Sequence, residues 1–206
     1  MRLRSRDLTI VKLGGSHALE PHLKEWLAAL AACGGRIIVV PGGGPFADKV
    51  REMQISIGFD DYAAHHMALL AMEQFGAAIG GLEPRLVHAA SLAAIDEALR
   101  QARTPIWMPV KMALAARDLP LSWDLTSDSL AAWLAGRVGA KRIMLVKHGG
   151  PYGERPDIDD LAARGIVDPL FERYLRASRA DAAFVGPGDT AQVARWICAA
   201  ARHDLA

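Results

Sequence analysis

A lysine next to two glycines, Lys12-Leu13-Gly14-Gly15-Ser16, and a glycine run between prolines, Pro41-Gly42-Gly43-Gly44-Pro45, are the residue patterns that phosphate chemistry uses. Glycines let the backbone approach a ligand closely and adopt conformations closed to other residues. The run at 42–44 follows an apolar stretch and opens a helical pattern, so unpaired N–H groups and the positive end of a helix dipole would face an anion there. An ordinary strand-to-helix turn needs one glycine, not three. Lys12 ends an apolar run, where its ammonium is costly to bury without a partner. A bound phosphate would be that partner; the alternative is a lysine snorkelling from an edge strand. Two glycine loops with a lysine suit phosphoryl transfer, whose catalysis is mostly positioning and charge neutralisation.

Asp128 falls in the first turn of a helix opened by Thr126-Ser127. The helix dipole alone favours an acid there, and orienting a catalytic lysine is the functional alternative. Lys147 ends another apolar run and is followed by His148-Gly149-Gly150-Pro151-Tyr152-Gly153. Those glycines make it the preferred lysine of the second half over Lys111 and Lys141. His65 and His66 point about 100° apart on a helix, so only one can face a site.

Other chemistries fail on their own requirements. Gly42, Gly44 and Ala47 fit the G-x-G-x-x-A dinucleotide pattern, but Asp60-Asp61 precedes a long helix and ends no strand. Gly-Lys never occurs, which excludes a P-loop, and there is no G-x-S-x-G for a hydrolase. No His, Asp or Glu set has metal-ligand spacing.

The elements that must position these residues alternate. Strands are expected at 8–13, 36–40, 105–110, 142–146 and 182–185. Helices are expected from Pro21 with Leu23, Trp26, Leu27 and Leu30 on one face, and from Pro45 with Phe46, Val50 and Met53. Further helices are expected at 62–79, stopped by Gly80-Gly81, around Leu92, Ile95 and Leu99, and from Thr126 to a stop at Gly139. The last two are expected at 168–178 and after Asp189. Strands alternating with helices predict an α/β protein, a three-layer αβα sandwich with a mainly parallel central sheet. The nearly all-branched 36–40 run should be central. No linker or repeat divides the chain, and the softest boundary, at 116–123, separates two lobes of one domain (about 1–118 and 119–206).

The 206 residues are 51% hydrophobic, enough for a substantial core, and the net charge of +1 leaves no footprint for nucleic acid. Cys33 and Cys198 lie far apart, as small buried hydrophobes of a reducing cytoplasm would. The basic Met1–Arg6 stretch is followed by too short an apolar run for a signal peptide, and no stretch is long enough for a membrane span. A cytoplasmic protein is expected. The apolar 62–79 helix would suit a homo-oligomer interface.

With these residues placed, the chain resembles the amino acid kinase family through Ile10-Val11-Lys12-Leu13-Gly14-Gly15-Ser16, Val39-Val40-Pro41-Gly42-Gly43-Gly44-Pro45 and Thr126-Ser127-Asp128-Ser129-Leu130-Ala131-Ala132. The resemblance implies an acceptor-binding first half and an ATP-binding second half, with Mg²⁺ carried mainly by the nucleotide's phosphates. It implies that Lys12 neutralises the transferring group, that Gly14, Gly43 and Gly44 donate N–H groups to it, and that Asp128 organises the lysine. Gly15, Gly42, Pro45, His65 and Asp124 are then expected on the acceptor side, with Glu73 as a second candidate carboxylate. Ser16, Thr126, Lys147, Gly149, Gly150 and Tyr152 are expected on the nucleotide side. The Lys147 segment departs from the family's usual pattern, and Pro41 stands where isopentenyl phosphate kinases carry histidine. Pro41–Asp48, His65-His66-Met67-Ala68 and Trp123-Asp124-Leu125 look most like the family's short branch linked to methanofuran biosynthesis, which implies an aminomethylfuran phosphate acceptor. A non-catalytic nucleotide- or oxyanion-binding protein on the same fold is the alternative, as is a kinase for another small carboxylate or phosphate.

Overall fold

The computed structural model describes residues 7–15, 22–148, 150, 152–153, 156–186 and 188–190. Six strands, β1 (Thr9–Leu13), β2 (Ile37–Pro41), β3 (Leu86–Ala89), β4 (Thr104–Trp107), β5 (Arg142–Val146) and β6 (Asp181–Val185), form one sheet. Their order is β3-β4-β2-β1-β5-β6, and every pairing is parallel. β1 and β2 are buried along their whole length, as parallel strands covered on both faces must be. Lys12 is therefore on a central strand, not an edge.

Side chains alternate across the sheet and build two cores. Ile10, Ile38, Ile143 and Leu145 pack on one side, beneath α4 (Leu92–Arg100), α6 (Ser127–Val138) and α8 (Phe171–Ser178). Val11, Leu13, Val39 and Met144 pack on the other, against Trp26, Leu27 and Leu30 of α1 (Leu23–Ala31). The same alternation puts Lys12 on the α6 side, after Ile10. It puts Lys147 there too, one residue past the end of β5. In register, Lys12 lies beside Leu145.

The chain runs from β1 to β2 on one side, and after α6 it returns to β5 on the other side of β1. This is a topological switch point, and the crevice beyond the carboxyl ends of β2, β1 and β5 is where such sheets bind ligands. α2 (Gly44–Ile57) and α3 (Asp61–Leu82) wall one side of it.

Several boundaries differ from expectation. α3 continues through Gly80 and Gly81 to Leu82; a Cβ at Gly80 would stand 2.6 Å from His88 Nε2, so that glycine serves close packing on β3 and not termination. β3 was not anticipated, because its apolar run is only Leu86-Val87 before His88, too short to mark a strand. The strand expected at 105–110 ends at Trp107, and Val110 instead opens the short α5 (Val110–Leu114). α7 (Ile158–Ala163) was also missed. α8 begins at Phe171, which leaves Asp168 outside it. Phe46 is exposed; of α2's apolar residues only Val50 is buried. The apolar face of α3 is used within the chain through Leu69, Met72, Phe75 and Ile79. The helix start at Pro21, Cys198 and the helix expected after Asp189 lie outside the described residues. Among the described residues, no helix is long and apolar enough to cross a membrane.

Candidate active site

Three ionised side chains meet at the switch point. Lys12 Nζ stands 2.9 Å from Asp128 Oδ1, and Lys147 Nζ donates to Asp128 Oδ2 at 2.5 Å. All three are largely or wholly buried. Burial alone would raise the Asp128 pKa, but the two ammonium groups outweigh it and hold the carboxyl below its ordinary value. Lys147 is pushed down to about 8, first by burial and then by the charge of Lys12, against the support of Asp128. Two cations on one anion leave a net positive charge at the floor of a cleft of about 440 Å³. Such a centre is suited to an anionic ligand, which would restore the charge balance that burial demands.

The glycine loops form one wall of this cleft, and their backbones touch. A Cβ on Gly15 would lie 2.1 Å from Gly44 N, and one on Gly42 would lie 2.4 Å from Gly15 N. Gly44 has φ +52° and faces Gly15 O. These glycines are thus required by the contact between the two loops, a reason the sequence reading did not contain. Gly42 N donates to Leu13 O at 2.8 Å and ties the loops together. Gly14 is buried beside them and lines the cleft.

Two helix N-termini point into the cleft. α2 starts at Gly44 with Gly43 as its N-cap and no side-chain cap, so its own cap residue leaves the first N–H groups unsatisfied. Pro45 serves the helix start, where its missing N–H costs nothing. α6 is different. Thr126 caps it, and the buried carboxylate of Asp168 accepts from Thr126 N at 2.9 Å, Thr126 Oγ1 at 2.7 Å and Ser129 N at 3.0 Å. Asp168 also accepts from Ser129 Oγ and from Leu170 N. Thr126 lines the cleft, but its hydroxyl donates to Asp168 and accepts from Asp128 N. Thr126, expected on the nucleotide side, thus caps α6 from a place in the cleft lining.

The other expected residues divide. His65 lines the cleft, and burial followed by the neighbouring His66 holds its pKa below the ordinary value. Asp124 does not line it; its exposed carboxylate accepts from Ser122 Oγ at 3.0 Å within its own turn. Glu73 instead accepts from Val110 N at 2.9 Å and caps α5. Gly150 and Tyr152 line a separate hollow of about 240 Å³, with Arg164 and Asp160. Tyr152 packs on Phe184, and its hydroxyl donates to His148 O. Ser16 and Gly149 lie outside the described residues. Among the lining residues that the sequence reading missed are Asp168 and Arg51. Arg51 follows Gly44, Ala47 and Asp48 at helical spacing on the cleft face of α2, a periodicity that could have found it. Its guanidinium pairs with Asp48 at 3.0 Å and lies 4.4 Å from the centroid of the Trp123 ring.

A parallel sheet with a lysine–carboxylate–lysine centre at its switch point, faced by an uncapped helix start, defines a phosphoryl-transfer class of site. Residues 7–150 match the amino acid kinase family, and the chain belongs to that family. It is 25% identical over 187 residues to the [5-(aminomethyl)furan-3-yl]methyl phosphate kinase of Methanocaldococcus jannaschii, covering 84% of this chain and 85% of that protein. Among solved structures it is similar to the uridylate kinase of Archaeoglobus fulgidus, with TM-score 0.70, 15% identity, and 93% and 95% of the two chains covered. It is also similar to the UMP kinase of Bacillus anthracis, with TM-score 0.67, 14% identity, and 95% and 93% covered. The expected α/β sandwich and kinase class therefore stand.

Proposed function

We propose that this kinase transfers the γ-phosphoryl group of ATP to a small acceptor that already carries a phosphate, of the aminomethylfuran phosphate class, and makes a diphosphate. The observation that carries the reading is the Lys12–Asp128–Lys147 centre on the floor of the cleft. An acceptor phosphate oxygen would form the new bond to the γ-phosphorus. The bond from that phosphorus to the β,γ-bridging oxygen would break, and ADP would leave. Lys12 would balance charge on the transferring group, Lys147 would balance it on the nucleotide side, and the uncapped start of α2 would donate N–H groups to the acceptor.

Asp128 is not a base in this reading. Both its oxygens face ammonium groups, and its pKa is held low. A phosphomonoester needs no base, because its oxygens are already ionised near neutral pH. A hydroxyl acceptor would need one, and His65, whose pKa burial lowers, is an imidazole lining the cleft. Among the described residues, no cluster of His, Cys, Asp and Glu has metal-ligand geometry. Mg²⁺ accompanying ATP would be held mainly by the phosphates and would supply further charge neutralisation. The similarity to the Methanocaldococcus enzyme supports the acceptor class.

The test is purified protein with ATP, Mg²⁺ and [5-(aminomethyl)furan-3-yl]methyl phosphate, read as ADP and the diphosphate by mass spectrometry, beside UMP and a panel of small carboxylates and alcohols. Turnover of another acceptor alone would overturn the acceptor class. No ADP from any member would overturn the reading altogether.

A further inference from the structure

Asp168 is a buried carboxylate outside the lysine centre, and the chemistry proposed above does not use it. It follows the turn after α7 and precedes α8, yet most of its hydrogen bonds go to α6. Oδ2 takes three donors, from Thr126 N, Thr126 Oγ1 and Ser129 N. Oδ1 takes Ser129 Oγ and Leu170 N. Each of these contacts is an N–H or O–H pointing at the carboxylate, so both of its oxygens act as acceptors. The positive end of α6 balances its charge.

The residues it holds bracket Asp128. Thr126 and Ser129 stand on either side of it in the first turn of α6, so their fixation sets where the Asp128 side chain leaves the helix. Asp128 must reach two ammonium groups at once, at 2.9 and 2.5 Å. A rotation or slide of this one turn would lengthen one contact as it shortened the other.

We propose that Asp168 is a positioning residue for phosphoryl transfer: by gripping the first turn of α6 it holds Asp128 midway between Lys12 and Lys147. This rests on the kinase reading for its catalytic consequence, but the geometric claim can be measured without turnover. Lys147 faces Asp128 and Lys12, and Asp128 is what supports its proton against burial and against Lys12. Loosening Asp128 must lower the Lys147 pKa further.

The experiment compares Asp168→Ala and Asp168→Asn with the unaltered chain. Steady-state kinetics use ATP and whichever acceptor turns over. The Lys147 ammonium is titrated by NMR in unliganded protein carrying carbon-13-labelled lysine, with Lys147→Arg identifying its signal. Asp168→Ala is expected to lower kcat by about a hundredfold, with little change in the KM for ATP, and to move the Lys147 midpoint below its value of about 8. Asp168→Asn keeps one oxygen for these donors but sets an NH2 against the others, so it should show a smaller change of the same sign in both. A folded Asp168→Ala with unchanged kcat overturns the proposal. So does loss of thermal stability with the Lys147 midpoint unmoved, which would make Asp168 only a structural cap. If the alanine variant does not fold, the asparagine variant decides, because an unchanged midpoint and kcat there count against positioning. Absence of transfer in the unaltered chain would defeat the kinase reading, and the NMR midpoints would still settle the geometric claim.

Discussion

The two helix starts that face the cleft solve the same electrostatic problem in opposite ways. α2 begins on glycine, with no side-chain cap, and its start lines the same cleft as the lysine centre. α6 begins on Thr126 and has its first turn gripped by Asp168. An uncapped start keeps the capacity to bind an external anion, while a capped start has already used that capacity on a carboxylate of the chain. The difference divides the labour of the site. α2 is left to receive ligand, and α6 is fixed so that it can carry Asp128 to two lysines. It also explains why the α2 side is built of glycine and the α6 side of hydrogen-bonding side chains.

The sharpest way to break the comparison is to remove the cation that both helix starts face. Lys12→Ala should lower kcat by about 10²–10³-fold, the range found when one charge-stabilising donor is lost. A coupled assay of ADP release checks this, with circular dichroism to confirm the fold. Full activity would deny Lys12 its role.

The second expectation concerns pH. Protonated Lys147 is needed for anion binding, so kcat/KM should fall as pH rises through about 8. Lys147→Arg should remove that basic limb, since guanidinium stays charged. Stability has the opposite sign. Lys147 has a folded pKa below its unfolded value, so between about 8 and 10.5 the unfolded chain holds the extra proton, and this group's contribution to stability rises with pH. The destabilising cost is fully present below that window. Denaturant titrations of the unliganded chain and of Lys147→Met across the window would show the difference.

A smaller effect separates the two kinds of glycine. Gly44→Ala meets both a positive φ and the Gly15 backbone, with a Cβ at 2.5 Å from Gly15 O. Gly139→Ala, at the end of α6, meets a positive φ and open space. Thermal denaturation should show a cost of about 1 kcal/mol for Gly139→Ala and a clearly larger one for Gly44→Ala. Equal costs would mean that the loop contact is loose. The smallest effect is expected from Thr126→Val, which removes one cap of α6 while the carboxylate of Asp168 keeps Ser129. A stability loss of about 1 kcal/mol is expected in chemical denaturation.

Much of the architecture could be read along the chain because its signals are local. The β5 strand and the span of α6, from its Thr126 cap to its Gly139 stop, follow from short apolar runs and from start and stop residues. Lys12, the glycine runs and Asp128 could be singled out because residue type and position after a strand are properties of the sequence. Asp124 and Asp168 show where that reading ends. Both are acids near a helix start, and nothing local distinguishes the one that closes its own turn from the one that reaches a helix about forty residues away.

The sequence by itself thus determined the alternating elements, the glycine loops and two lysines ending apolar runs. Only the tertiary structure decided that β5 lies against β1, which places Lys147 beside Lys12 with a single carboxylate between them. The same holds for the loop contact that makes Gly15, Gly42 and Gly44 necessary. The physical reason is common to both. Side-chain alternation fixes which face a residue takes, but strand order and loop contact depend on burying all the elements at once, and no local stretch of chain carries that information.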